Sequence, residues 1–183
     1  MGFFEEKIVG RTVFKGRILQ LDVDSVRLDD GSVAERECVR HSGGAAVLYA
    51  LREGDICKIL LVKQFRYLYG REIWEIPAGK LEVGEDPSLA AKRELEEETG
   101  YIDGELVPFL KIYPSVGYTD EVIHVYEAKG CRPDVRKPDE GELLDVKLID
   151  LNVALKMIDE GEICDAKTVA AIYKYCLKNG IEI

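Results

Sequence analysis

The sequence predicts an α/β protein in which a mixed sheet lies between helices, preceded by a small antiparallel sheet. Three stretches carry that prediction. Residues 12–40 alternate in the manner of strands around Asp30-Gly31, a strong hairpin turn pair. Residues 45–51 and 57–65 are apolar runs of strand length on either side of the turn Arg52-Glu53-Gly54-Asp55. Residues 86–100 then carry the signals of a helix: Asp86 as cap, Pro87 at the first helical position and Gly100 as the closing residue.

The remaining elements follow the same logic in chain order. Short strands joined by tight turns, as in residues 12–40, bury little alone and must pack on the main domain or on a second copy of the chain. Trp74 and Glu75 lie in a strand-like stretch that runs into Pro77-Ala78-Gly79, and the sequence leaves both open as core or pocket residues. Residues 106–113 and 122–128 read as strands. The segment 133–142, PDVRKPDEGE, is charged and Pro-rich and reads as a loop. A strand over residues 143–149 follows, and then amphipathic helices over 152–160 and 166–178. In the second of these, Val169, Ile172, Tyr173 and Cys176 recur at helical spacing as core candidates. There is no internal repeat, low-complexity run or interdomain linker.

Composition narrows the function. A chain of 183 residues with 46% hydrophobic content fits one domain of ordinary size. Its net charge of −10 argues against a nucleic-acid partner, since phosphate backbones call for a basic surface. An anionic small molecule would then need cations and placed arginines to reverse the field locally. The 5 cysteines have no paired spacing, which points to free thiols in a reducing, cytoplasmic setting rather than a disulfide framework or zinc site. The opening MGFFEEK lacks the pattern of a signal peptide or a myristoylation site, and no apolar run reaches the length of a membrane span.

The stretch from Gly79 to Tyr101 concentrates the chemistry. At the helical angular step, Glu94, Glu97 and Glu98 share one stripe while Glu96 points nearly the opposite way. Like charges three and four apart repel, and a cation turns that repulsion into binding. The stretch holds neither His nor Cys, so its hard oxygen ligands suit Mg²⁺ or Mn²⁺. A solvated acidic face is the plainer alternative for such a helix taken alone.

The spacing decides between them. Gly79, Glu85, Arg93-Glu94-Leu95, Glu97-Glu98 and Gly100 stand in the arrangement GX5EX7REUXEEXGU, with U a bulky aliphatic, and only Tyr101 departs from it. This closely resembles the signature of the Nudix hydrolases, and the chain most resembles their ADP-ribose pyrophosphatase branch. The resemblance implies a Nudix α/β/α sandwich over residues 43–183 and an N-terminal β-segment, residues 1–42, exchanged between the subunits of a homodimer. It implies metal ligation by the Ala78 carbonyl, Glu94, Glu97 and Glu98, with Glu97 and Glu98 also catalytic. Glu85 and Arg93 read as braces of the turn and helix, since Arg93 can pair with Glu97 four residues on.

The same resemblance assigns the substrate contacts. Arg66, in Gln64-Phe65-Arg66, matches an arginine that meets the pyrophosphate, and a surface salt bridge is its competing explanation. Arg36 and Glu37 occupy the place of residues near adenine and the terminal ribose, whereas His41 reads as structural. Gly117 and Glu121 match a substrate loop in which Val116 stands where the family carries proline. Glu142 or Glu140, in the acidic loop, is the implied catalytic base or extra metal contact, with Glu142 favoured by its distance to the following strand. The expected reaction is Mg²⁺-dependent hydrolysis of ADP-ribose to AMP and ribose 5-phosphate. The alternatives are another nucleoside diphosphate sugar, a dinucleoside polyphosphate, or a non-catalytic nucleotide-binding module.

Overall fold

A computed structural model describes residues 4–136 and 143–182. The chain forms two compact units, one of Met1–Gly43 with Tyr113–Val122 and one of Gly44–Ile112 with Ile123–Ile183.

The first unit is built on a 3-stranded antiparallel sheet of β1 (Glu5–Lys15), β2 (Leu19–Leu28) and β3 (Val33–His41), in that order. The turn between β2 and β3 is the expected one. Gly31 takes a φ of 83°, and the Asp30 carboxylate accepts the Ser32 N–H at 2.9 Å. β1 starts at Glu5, earlier than the alternation from residue 12 suggests. Every residue of β1 is exposed, and register shifts at Lys7/Val9 and Thr12/Phe14 break the two-residue period that would have marked it.

The second unit contains β4 (Gly44–Glu53), β5 (Ile56–Arg66), β6 (Arg71–Glu75), β7 (Ala78–Lys80), α1 (Pro87–Thr99), β8 (Tyr101–Ile102) and β9 (Glu105–Ile112). After these come β10 (Ile123–Lys129), β11 (Arg132–Pro133), β12 (Asp145–Asp150), α2 (Leu151–Asp159) and α3 (Ala166–Asn179). Its main sheet runs β12-β5-β4-β10-β9, with β6 on β5 and β7 on β4, while β8 and β11 form a separate pair. The sheet is mixed because β10 runs parallel to β4 and its other pairings are antiparallel.

β4 shows how the layers form. Alternate side chains leave opposite faces of a strand. Ala45, Val47 and Tyr49 pack with Ala90, Ala91 and Leu95 of α1, while Ala46 and Leu48 pack with Leu151 and Ala154 of α2 and Ala171 and Ile172 of α3. Both faces are covered, which is why β4 reads as a nearly continuous apolar run. In α3 the buried stripe includes Tyr175 with Ile172 and Cys176, whereas Tyr173 and Val169 are half-buried. Among the described residues no helix is long and apolar enough to cross a membrane.

Candidate active site

Helix α1 is fixed at both ends by its own sequence. The Asp86 side chain accepts the Ser88 N–H at 2.8 Å, Pro87 follows, and Gly100 closes the helix at a φ of 72°. These limits set which side chains meet β7. Glu98 lies only 3% exposed, and its Oε2 accepts the Ala78 N–H at 2.9 Å. The Glu94 carboxylate occupies the space that a Cβ on residue 79 would need. Gly79 thus leaves the room in which the Glu94 carboxylate lies against the backbone, room that a Cβ would take. Ala78, Gly79, Glu94 and Glu98 come together at one point.

Arg93 organises the remaining acids. Its Nε and Nη2 each reach a Glu85 oxygen at 3.1 Å, and its Nη1 donates to Glu94 Oε1 at 2.8 Å and Glu97 Oε2 at 3.2 Å. Glu85 Oε2 also accepts the Glu82 N–H at 2.9 Å, closing the turn before the helix. Hydrogen bonds from Arg93, and then from the Glu82 backbone, hold the Glu85 carboxyl below its usual range. One guanidinium therefore relieves the repulsion along the stripe. It also fixes the loop that leads into the helix.

The donor chemistry fits a hard divalent ion. Carboxylates of Glu94 and Glu98 flank the Ala78-Gly79 backbone, with Glu97 one turn away from Arg93 on the same stripe. Among the described residues no three His, Cys, Asp or Glu side chains already converge as a cage. Here Arg93 supplies the positive charge that faces Glu94 and Glu97.

A second cluster lies at the end of β5. Arg66 forks onto Glu75, Nε to Oε1 at 2.5 Å and Nη2 to Oε2 at 2.6 Å. Lys167 Nζ reaches the same Oε2 at 2.6 Å and Asp165 at 3.0 Å. Burial pushes the Glu75 carboxyl up, but the bonds from Arg66 and Lys167 outweigh it and leave the group below its usual range. The Arg66 side chain remains 40% exposed, with its Nε–Nη2 edge turned to Glu75. Glu75 is accordingly a core residue with an ionic function, and neither it nor Lys167 stood out as a pair in the sequence. The available signal was period two: Ile73 and Glu75 share the buried face of β6, and a buried carboxylate requires a cation.

The other candidates belong to the first unit. Arg36 forks onto exposed Glu5 at 2.6 and 2.9 Å, a surface pairing of small net worth that an anion can replace. Glu37 and Gly117 are exposed, and Glu121 is half-buried. His41 Nδ1 accepts the Gly43 N–H at 3.0 Å, and Glu121 Oε1 lies 3.6 Å from that same nitrogen, beyond hydrogen-bond reach. Glu140 and Glu142 lie outside the described residues.

Comparison with known proteins agrees with this geometry. Residues 40–172 match the NUDIX domain family. The chain is 42% identical to an ADP-ribose pyrophosphatase of Bacillus subtilis, covering 100% of this chain and 98% of the relative. It is also 42% identical to a methanol dehydrogenase activator of Bacillus methanolicus, covering 98% and 97% of the two chains. A crystal structure of an ADP compounds hydrolase superposes with a TM-score of 0.80 at 20% identity, over 96% of each chain, which supports the fold. The matched family, the full-length similarity and the placement of the signature residues on α1 and β7 agree: this chain is a Nudix hydrolase, on the branch that includes the ADP-ribose pyrophosphatases.

Proposed function

We propose that the protein hydrolyses ADP-ribose to AMP and ribose 5-phosphate, using Mg²⁺ or Mn²⁺ held by the Ala78 carbonyl, Glu94, Glu98 and Glu97. The observation that carries this reading is the meeting of Glu94 and Glu98 at the Ala78-Gly79 backbone. Nudix hydrolases generally use divalent metal ions. Such an ion, when bound, neutralises phosphate oxygens and makes a water molecule more acidic.

The protein's own residues do the rest. Arg66, anchored along one edge by Glu75, presents the opposite edge of its guanidinium to the pyrophosphate. Water adds to phosphorus as the bridging P–O bond breaks, and a loop carboxylate, Glu142 or Glu140, accepts its proton. Arg36 and Glu37 lie near the adenine and terminal ribose, and Gly117 and Glu121 belong to a loop that contacts the substrate. Exposed Ile8, Val9, Val13 and Phe14 on β1 favour a homodimer, since apolar side chains grouped on an exposed strand suit an interface. The free state of all five cysteines supports a cytoplasmic setting.

The test is kcat/KM across ADP-ribose, other nucleoside diphosphate sugars and dinucleoside polyphosphates with Mg²⁺. ADP-ribose is expected to lead, and a compound cleaved more than about tenfold faster displaces it, that ratio corresponding to about 1.4 kcal/mol. The equally similar Bacillus methanolicus activator favours one second reading, a regulatory partner of a dehydrogenase. Stimulation of methanol dehydrogenase by the Glu98→Gln protein would support it, since that variant separates regulation from hydrolysis.

Gly79→Ala supplies a sharper test of the site. Gly79 has no positive φ, and the new Cβ meets the end of a flexible side chain, so Glu94 swings away at little cost to folding. Activity is expected to fall roughly a hundredfold, as displacement of a reacting group by about 1 Å does. Circular dichroism is expected to stay unchanged. Retained activity would show that the position of Glu94 is immaterial.

A further inference from the structure

The segment that carries Gly117 and Glu121 lies in the same compact unit as β3, and its backbone adds to that strand. β3 stands at the edge of its sheet, where backbone donors and acceptors remain open to another strand. The Val39 N–H donates to the Tyr118 carbonyl at 2.7 Å, and the Asp120 N–H donates to the Val39 carbonyl at 3.2 Å. The result is a parallel bridge between Val39 and Thr119.

The Asp120 side chain completes the attachment. Its Oδ1 accepts the His41 N–H at 2.9 Å, and its Oδ2 accepts from Arg40 Nη1 at 3.2 Å. Arg40 is itself immobilised, with Nε on Asp22 at 3.2 Å and Nη2 on Asp24 at 3.0 Å. Both of those aspartates are buried in the sheet. Glu121 has weaker ties of its own: its N–H reaches Thr119 Oγ1 at 3.2 Å, and its carboxylate meets His41 only at 3.6 Å. The direction of Glu121 therefore follows from where Asp120 holds the backbone.

We propose that Asp120 is a positioning residue, fixing the substrate segment on β3 through His41 and Arg40 so that Gly117 and Glu121 meet a nucleoside diphosphate in one orientation. This rests on the substrate role proposed above for those two residues. Misorientation of the segment weakens binding of ground state and transition state alike, which raises KM and spares kcat.

The experiment is steady-state kinetics on Asp120→Ala and Asp120→Asn, with thermal unfolding of each, using whichever diphosphate the wild type cleaves best. Asp120→Ala is expected to raise KM about tenfold with kcat within about twofold. Asp120→Asn keeps an acceptor for the His41 N–H and loses the Arg40 bond, so its KM is expected to fall between the two. Unchanged KM in Asp120→Ala overturns the proposal, and so does a loss of kcat at constant KM. If the alanine variant does not fold, Asp120→Asn decides alone, and a wild-type KM there overturns it. Substrate choice is settled on the wild type beforehand, so an error in naming ADP-ribose leaves this result readable.

Discussion

Glu98→Gln is expected to lower kcat/KM about a thousandfold, the scale seen when a preorganised electrostatic contact is removed, while the fold persists. The substitution separates charge from shape. Glu98 is buried, with Oε2 on the Ala78 N–H at 2.9 Å, and a glutamine oxygen accepts that same bond with the same side-chain volume. What disappears is the negative charge beside the Ala78-Gly79 backbone. Steady-state kinetics with Mg²⁺ and thermal unfolding check the two halves of this expectation. Hydrolysis within about tenfold of wild type, a loss of only about 1.4 kcal/mol, would contradict the role given to Glu98.

Glu75→Gln carries the largest expected effect on stability. The carboxylate is 3% exposed and accepts from Arg66 and Lys167, which is itself 8% exposed. Removing one partner of a buried ionic cluster leaves the other charges uncompensated, at a cost of roughly 3 kcal/mol. For a chain of this size that lowers Tm by roughly 10 °C. Lys167 keeps Asp165 as a neighbour at 3.0 Å, which places the loss at the lower end of the usual range. Urea unfolding at neutral pH measures it, and a loss below about 1 kcal/mol would make the cluster marginal.

The pH dependence has a definite sign. Glu75 titrates lower in the folded protein than its ordinary value of 4.5. Its stabilisation is fully present above that value and is lost as pH falls through the folded pKa. The acid-side loss of stability should therefore be shallower in Glu75→Gln than in the wild type. Arg66 also loses its anchor in this variant, so KM for the diphosphate should rise.

The helix and its acids were legible because their signals are local. Capping by Asp86 and Pro87, closure by Gly100 and the stripe of Glu94, Glu97 and Glu98 all follow from spacing along one element. The pairing of Arg93 with Glu97 was likewise readable as neighbours four apart. The added bonds to Glu85 and Glu94 depend on how the preceding turn folds back, which spacing does not specify.

The less legible features join residues distant in sequence. Lys167 meets Glu75 across 92 positions, and Asp120 meets His41 across 79. Periodicity places each residue on a face but does not select its partner. Tyr175 shows the same limit in α3: it lies on the buried stripe with Ala171, Ile172 and Cys176, and Arg52 Nε satisfies its hydroxyl at 3.0 Å, whereas the apolar spacing from Val169 favoured Tyr173. β1 escaped in part because its exposed residues are not patterned by a core.

Titration of Mn²⁺ into the protein, with the free ion followed by electron paramagnetic resonance, probes the acidic stripe without recourse to turnover. The wild type is expected to bind the ion, and the double variant Glu94→Gln/Glu98→Gln to lose that binding while retaining its circular dichroism. Equal binding by the two proteins would place the ion elsewhere and contradict the account of α1 and β7 as its seat.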